Sequence, residues 1–180
     1  MRSLPVILAV AILCTSAVAQ SKSHAVAEQR TFNLGADGPV VQHRVILSDA
    51  ELAVLAGDEM MREELDQDPP IPKLTREGLE AAVVHLHGPE ERDLVIVGSG
   101  RPFIGANIGP FWVIRGLATG PKVVFSTITL AITIQKTTFG GFRNIEAFAA
   151  TAVEGTTVDF RFNSRKYVEY KEKSEPLGQR

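Results

Sequence analysis

The chain has 180 residues, 44% of them hydrophobic and 22% charged, with 19 Lys and Arg against 21 Asp and Glu and a single cysteine. That is the balance of an ordinary globular domain and not of a disordered or fibrous chain, and the length suits one domain. A formal net charge of −2 gives no electrostatic case for nucleic acid, whose phosphates are gripped by clustered Lys and Arg.

Residues 1–19 read as a signal peptide. Arg2 supplies the positive start, Leu4 to Leu13 the apolar run, and Ala17-Val18-Ala19 the small residues accepted by signal peptidase before Gln20. The apolar run is too short to span a bilayer, which needs about 20 such residues. No later run is both that long and that apolar, so no transmembrane segment is expected in the mature chain. Export to the periplasm or the extracellular medium follows. The only cysteine, Cys14, leaves with the signal, so disulfides cannot stabilise the mature protein and burial must do so.

Residues 20–30 are polar and small, a mobile N-terminal segment. A single β-rich domain is expected over 31–170, with a flexible tail over 171–180. Gly35-Ala36-Asp37-Gly38-Pro39 is a turn cluster, and Val40, Val41, Val45 and Ile46 suit a strand entering the domain. Ser48-Asp49-Ala50-Glu51 has the Ser-x-x-Glu form of a capping box, in which serine and glutamate each satisfy a free N–H at a helix start. Leu52, Leu55 and Ala56 then share a helical face and Gly57 ends it, predicting one short helix over 49–57. Residues 58–74 are acidic and then proline-rich (Pro69-Pro70-Ile71-Pro72), which reads as an extended surface loop.

From Leu79 the pattern changes to strands. Residues 81–86, 94–97, 111–114, 123–125, 128–134, 145–148, 157–162 and 167–170 are rich in β-branched and aromatic side chains and separated by Gly, Pro, Asn and Asp. The start of the first tolerates a second helix from Thr75 instead. Val158, Phe160 and Phe162 alternate with Asp159 and Arg161, a strand with one buried and one wet face. Short connections join antiparallel neighbours, so the fold class is mainly β: an antiparallel meander, closed as a small barrel or sandwich or covered by the early helix.

Arg143-Asn144-Ile145 after Phe139-Gly140-Gly141-Phe142, with Phe160-Arg161-Phe162-Asn163-Ser164-Arg165-Lys166-Tyr167 behind it, resembles a group of small exported bacterial β proteins. Their recurring features are a Gly-aromatic-Arg-Asp/Asn-Ile strand entry and a late aromatic-x-Phe-Asp/Asn-turn-Tyr hairpin. The resemblance spans about 93–170 and implies β structure without implying an activity. The turns are also distantly similar to FG-GAP-type hairpins, in which spaced aspartates bind calcium. His85 to Asp93 lacks the Asp-x-Asp-x-Asp series, and calcium needs six or more oxygens.

Val95-Ile96-Val97-Gly98-Ser99-Gly100 starts like a dinucleotide fingerprint, but the third glycine is replaced by Phe103 and Pro102 stands where a helix should begin. No cofactor is implied. The stretch reads instead as a glycine-rich loop in which Gly98, Gly100 and Gly105 let the backbone approach a partner and Arg101 and Asn107 supply polar contacts. His85 and His87, two apart, leave the same face of a strand and could share a metal ion if His43, Glu90, Glu91 or Asp93 supplied a third ligand. The bland reading is a solvent-facing pair with Ala82, Val84 and Leu86 facing in. No Gly-x-Ser-x-Gly elbow or mature cysteine offers a nucleophile. Phe111, Trp112, Phe142, Phe148, Phe160 and Tyr167 could line a sugar or peptide surface, although aromatics at strand spacing more often build the core. The sequence therefore predicts an exported, cofactor-free β domain that binds a protein or cell-envelope partner, with a metal protein built on His85 and His87 as the alternative.

Overall fold

A computed structural model describes residues 28–35, 38–66, 74–99, 103 and 108–177. The segment read as a signal peptide lies outside these residues.

Two antiparallel sheets pack face to face. The strands are β1 (Thr31–Gly35), β2 (Gly38–Pro39), β3 (Leu79–Val84), β4 (Asp93–Gly98), β5 (Gly109–Leu117), β6 (Gly120–Thr129), β7 (Ala131–Phe139), β8 (Phe142–Ala150), β9 (Glu154–Phe162) and β10 (Tyr167–Pro176). A four-stranded sheet has the order β3-β4-β5-β6 and a six-stranded sheet the order β10-β9-β8-β7-β1-β2. Each is a meander of consecutive neighbours, with β1 added beside β7. The arrangement is a sandwich and not a closed barrel.

The core between the sheets takes alternate residues from both. Val84, Val95, Val97, Phe111 and Val113 come from the four-stranded sheet and Phe32, Ile132, Ile134, Ile145 and Phe162 from the six-stranded one. The other residues of β4 and β5, Leu94, Ile96, Trp112 and Ile114, point the opposite way into a second core. This explains the uninterrupted apolar run of β4, in which all six residues are buried: a strand covered on both faces has no wet side on which to place polar residues.

Two short helices supply that second cover. The first, α1 (Asp49–Ala56), starts at the capping box, with Ser48 Oγ accepting from the Glu51 N–H and the Glu51 carboxylate accepting from the Ser48 N–H. The second, α2 (Glu59–Leu65), lies where the sequence predicted loop. Asp58 caps it and Met61 buries itself beside Leu55 in the second core. The acidic residues marked the segment as solvated, but Met60, Met61 and Leu65 at helical spacing turn one face toward the sheet. Two helices thus replace the single one expected.

Three further expectations change. Residues 40–46 form no strand beyond one bridge from Arg44 to Ala82 at the β3 edge. The run 128–134 breaks at Leu130, where the chain leaves one sheet for the other; the Thr129 hydroxyl and the Leu130 N–H both donate to the Phe148 carbonyl at this corner. Of the stretch expected as a tail, residues 171–176 are paired, since β10 continues against β9 to Pro176, and 178–180 lie outside the described residues.

Candidate functional site

The inner face of the six-stranded sheet is committed to the core, which leaves its outer face open. Strand alternation places Glu146 and Phe148 of β8 outward because Ile145 and Ala147 point in. Register then lines up three rows: Glu146, Asp159 and Lys171; Phe148, Thr157 and Lys173; Ala150, Gly155 and Glu175. All of these but Ala150 line a shallow groove of about 860 Å³ that also takes in Pro176 and Leu177.

The groove is polar along the Glu146-Asp159 row and along β10, and apolar on β8 and β9 around Phe148 and Gly155. Glu146 and Asp159 sit directly opposite each other, and the Gln135 side chain donates to both, at 3.1 and 3.0 Å. Lys173 pairs with Glu175. In the apolar part Phe148 and Leu177 close over Gly155: a Cβ built there would lie 3.0 Å from the Phe148 ring and 3.2 Å from Leu177. The missing side chain lets the ring settle against the floor.

Beside the groove, the Arg161 guanidinium lies 3.2 Å from the Tyr170 ring centroid and 4.8 Å from that of Phe139. Tyr170 is the residue inserted at a bulge between Glu169 and Lys171, and such insertions redirect a side chain. Both rings remain about half exposed, so the stack extends the face with aromatic surface.

His85 and His87 lie elsewhere. β3 ends at Val84, so the pair sits in a bend beyond the strand and not on a common strand face. His85 Nδ1 is 3.1 Å from the Glu91 carbonyl, and His87 Nδ1 is 2.9 Å from the Gly141 carbonyl. A carbonyl can only accept, so each Nδ1 carries the proton and each Nε2 keeps a lone pair in the neutral ring. The His87 ring stacks on Phe142 at 4.6 Å. Among the described residues no group of three His, Cys, Asp or Glu side chains is arranged to hold a metal.

The bend is held by a buried charge. Asp93, fully buried, accepts from the Leu86 N–H at 3.0 Å and lies 3.9 Å from Arg115 Nε. Burial raises its carboxyl above the ordinary range, with the Glu91 charge adding to the effect against the Leu86 hydrogen bond and Arg115. Burial, then the Asp93 charge, likewise raises the Tyr167 phenol, whose hydroxyl donates to the Arg143 carbonyl at 2.7 Å. Arg115 also pairs with Glu91 at 2.9 Å and covers the Phe142 ring. Every group here faces another protein group, which makes the cluster a clasp for the 85–93 loop.

Of the loop residues predicted to meet a partner, Gly100, Arg101, Gly105 and Asn107 lie outside the described residues. Gly98 is the last residue of β4 and is buried; a Cβ there would stand 2.5 Å from Phe103 Cβ and 2.8 Å from Pro110 Cγ. Its lack of a side chain admits Phe103, not a ligand. Phe111, Trp112 and Tyr167 are core residues, and Phe142 and Phe160 pack against the core. Phe148 alone of the six aromatics lines the groove. The alternation of Asp159 and Arg161 signalled a wet face, but only register brings Glu146 and Lys171 to Asp159.

No helix among the described residues is long and apolar enough to cross a membrane. Comparison with protein-family models, curated proteins and solved structures finds no match.

Proposed function

We propose that this protein is an exported, cofactor-free β-sandwich that binds a macromolecular partner of the cell envelope through the outer face of its six-stranded sheet. The observation that carries the reading is the groove across β8, β9 and β10, where a sheet face combines an apolar floor with a row of charged and amide side chains. Antiparallel sheets normally leave one face to solvent, and a solvated face needs polar residues but not an aromatic ring settled on a glycine. The four-stranded sheet offers no equivalent, because α1 and α2 cover it.

The test is retention of the purified protein by isolated cell envelopes, compared with Phe148→Ala and Gly155→Val. Both variants alter the floor of the groove and leave the inter-sheet core intact. Loss of retention with unchanged thermal unfolding supports this surface. Retention equal to wild type removes it and returns attention to Arg101 and Asn107.

A metal protein on His85 and His87 is the second reading, favoured by the carbonyl-held Nδ1 atoms, which leave both Nε2 lone pairs available as ligands. About one transition ion per chain, lost in the His85→Ala/His87→Ala variant, would establish it.

A further inference from the structure

We infer that the partner recognised by the outer sheet face is a neutral, hydroxyl-rich glycan chain lying across β8, β9 and β10; the inference rests on the binding face proposed above. The first argument is charge. The carboxylates Glu146, Asp159 and Glu175 share this face with Lys171, Lys173 and Arg161, so acids and bases balance. A polyanion or a polycation would meet as much repulsion as attraction, whereas steering of charged ligands requires a predominance of one sign.

The second argument is hydrogen-bond type. Glu146 and Asp159 share one amide donor, Gln135, and a carboxylate has about four acceptor sites. Acceptors therefore remain on adjacent strands, beside the Lys171 ammonium, which makes no ion pair among the described residues. Hydroxyl groups both donate and accept, so a chain of them can use this alternation without carrying charge.

Shape supplies the third argument. Backbone N–H and C=O groups of β8 and β9 are engaged in strand ladders on both sides, so the face itself offers side chains alone, and strand addition is open only at the outer edge of β10, which borders the sheet. Its floor is the Phe148 ring lying against Gly155, with Leu177 beside it. A flat apolar ring flanked by polar groups suits a ligand with C–H surface bordered by hydroxyls. Three strands and three rows give the groove roughly 10 Å by 14 Å at ordinary sheet spacings. The volume of about 860 Å³ is enough for more than one ring of a chain.

The arrangement is suited to holding the chain. Glu146 and Asp159 both accept from the one Gln135 amide, which holds the two carboxylates as fixed acceptors for ligand hydroxyls.

The experiment uses the purified protein with neutral soluble oligosaccharides of glucose and of N-acetylglucosamine, six rings long, in isothermal titration, together with retention on isolated envelopes. Binding to at least one series is expected, changed little by about 0.5 M NaCl because no net charge is neutralised. Phe148→Ala and Glu146→Gln/Asp159→Asn should each weaken it about tenfold or more. Envelope retention that is lost in these variants but resists competition by either oligosaccharide series and glycosidase treatment would overturn the glycan assignment while leaving the binding face in place. Retention unaffected by the variants would overturn the face itself. Retention abolished by salt would identify a charged partner and likewise contradict the inference.

Discussion

Glu146 and Asp159 stand opposite each other on β8 and β9, two carboxylates held side by side by one amide. Like charges directly opposite on a sheet cost roughly 0.2–1 kcal/mol, and Gln135 offsets this by donating to both. Glu146→Gln is therefore expected to leave stability unchanged or raise it by up to about 1 kcal/mol, while weakening retention on envelopes. Gln135→Leu removes the shared donor and should destabilise by about 1 kcal/mol. Urea unfolding of the two variants beside wild type measures both.

Asp58 does two tasks with one oxygen. Its Oδ1 accepts from the Met61 N–H at 3.4 Å as the cap of α2 and from the Trp112 indole at 3.1 Å. Asp58→Ala leaves a fully buried indole N–H without a partner and uncaps the helix, a combined loss of about 2–4 kcal/mol. Asp58→Asn keeps an acceptor oxygen and should lose less than half of that. The chain has one tryptophan, so its emission reports the same contact directly: a shift in Asp58→Ala and little change in Asp58→Asn.

The helix layer is also sensitive to acid. Burial pushes the Glu51 carboxyl up, but hydrogen bonds from Ser48 and the pairing with Arg92 outweigh it and hold it below the ordinary glutamate range. Glu28 is lowered in the same way: burial is outweighed by Arg143 and the His85 N–H. A lowered folded-state value contributes stability that is complete above the ordinary range and lost as pH falls through the lowered value. Asp93 and Glu80 have the opposite sign, because burial raises both; their contribution is complete below the ordinary range and lost as pH rises through the raised values. Glu28→Gln/Glu51→Gln should thus be less stable than wild type at neutral pH and lose less on acidification. Melting temperatures that fall in parallel for the two proteins between about pH 7 and pH 3 would contradict this assignment.

Gly98 and Gly116 are packing residues. A Cβ at Gly98 meets Phe103 at 2.5 Å, and one at Gly116 meets the Arg92 carbonyl at 2.5 Å. Overpacking of this kind costs about 1–3 kcal/mol. Gly98→Ala and Gly116→Ala should each lower the unfolding free energy from urea denaturation by that amount and leave envelope retention intact for the folded fraction.

The strand meander was legible because β3 to β10 carry β-branched or aromatic runs bounded, except between β6 and β7, by turn residues, and the capping box at Ser48 and Glu51 is a local signal written in four residues. α2 was hidden because Glu59, Glu63 and Glu64 dominate its composition while Met60, Met61 and Leu65 gain meaning only against the sheet they cover. The break at Leu130 was hidden because a chain that changes sheets keeps its β-rich composition. Gly98 looked like loop because packing against Phe103 is invisible without the fold. The candidate site was legible only in halves. Alternation marked Asp159 and Arg161 as outward-facing, but register brings Glu146, Gln135 and Lys171 to Asp159 across gaps of 12 to 24 residues.

Lysine footprinting on the envelope-bound protein tests the central claim most directly. Lys171 and Lys173 line the groove, whereas Lys122 on β6 and Lys166 in the last hairpin turn are exposed away from it. Acetylation followed by mass spectrometry should show Lys171 and Lys173 protected on binding, with Lys122 and Lys166 labelled as in the free protein. Protection confined to Lys122 or Lys166, or equal labelling of all four in bound and free protein, would contradict a binding face on the six-stranded sheet.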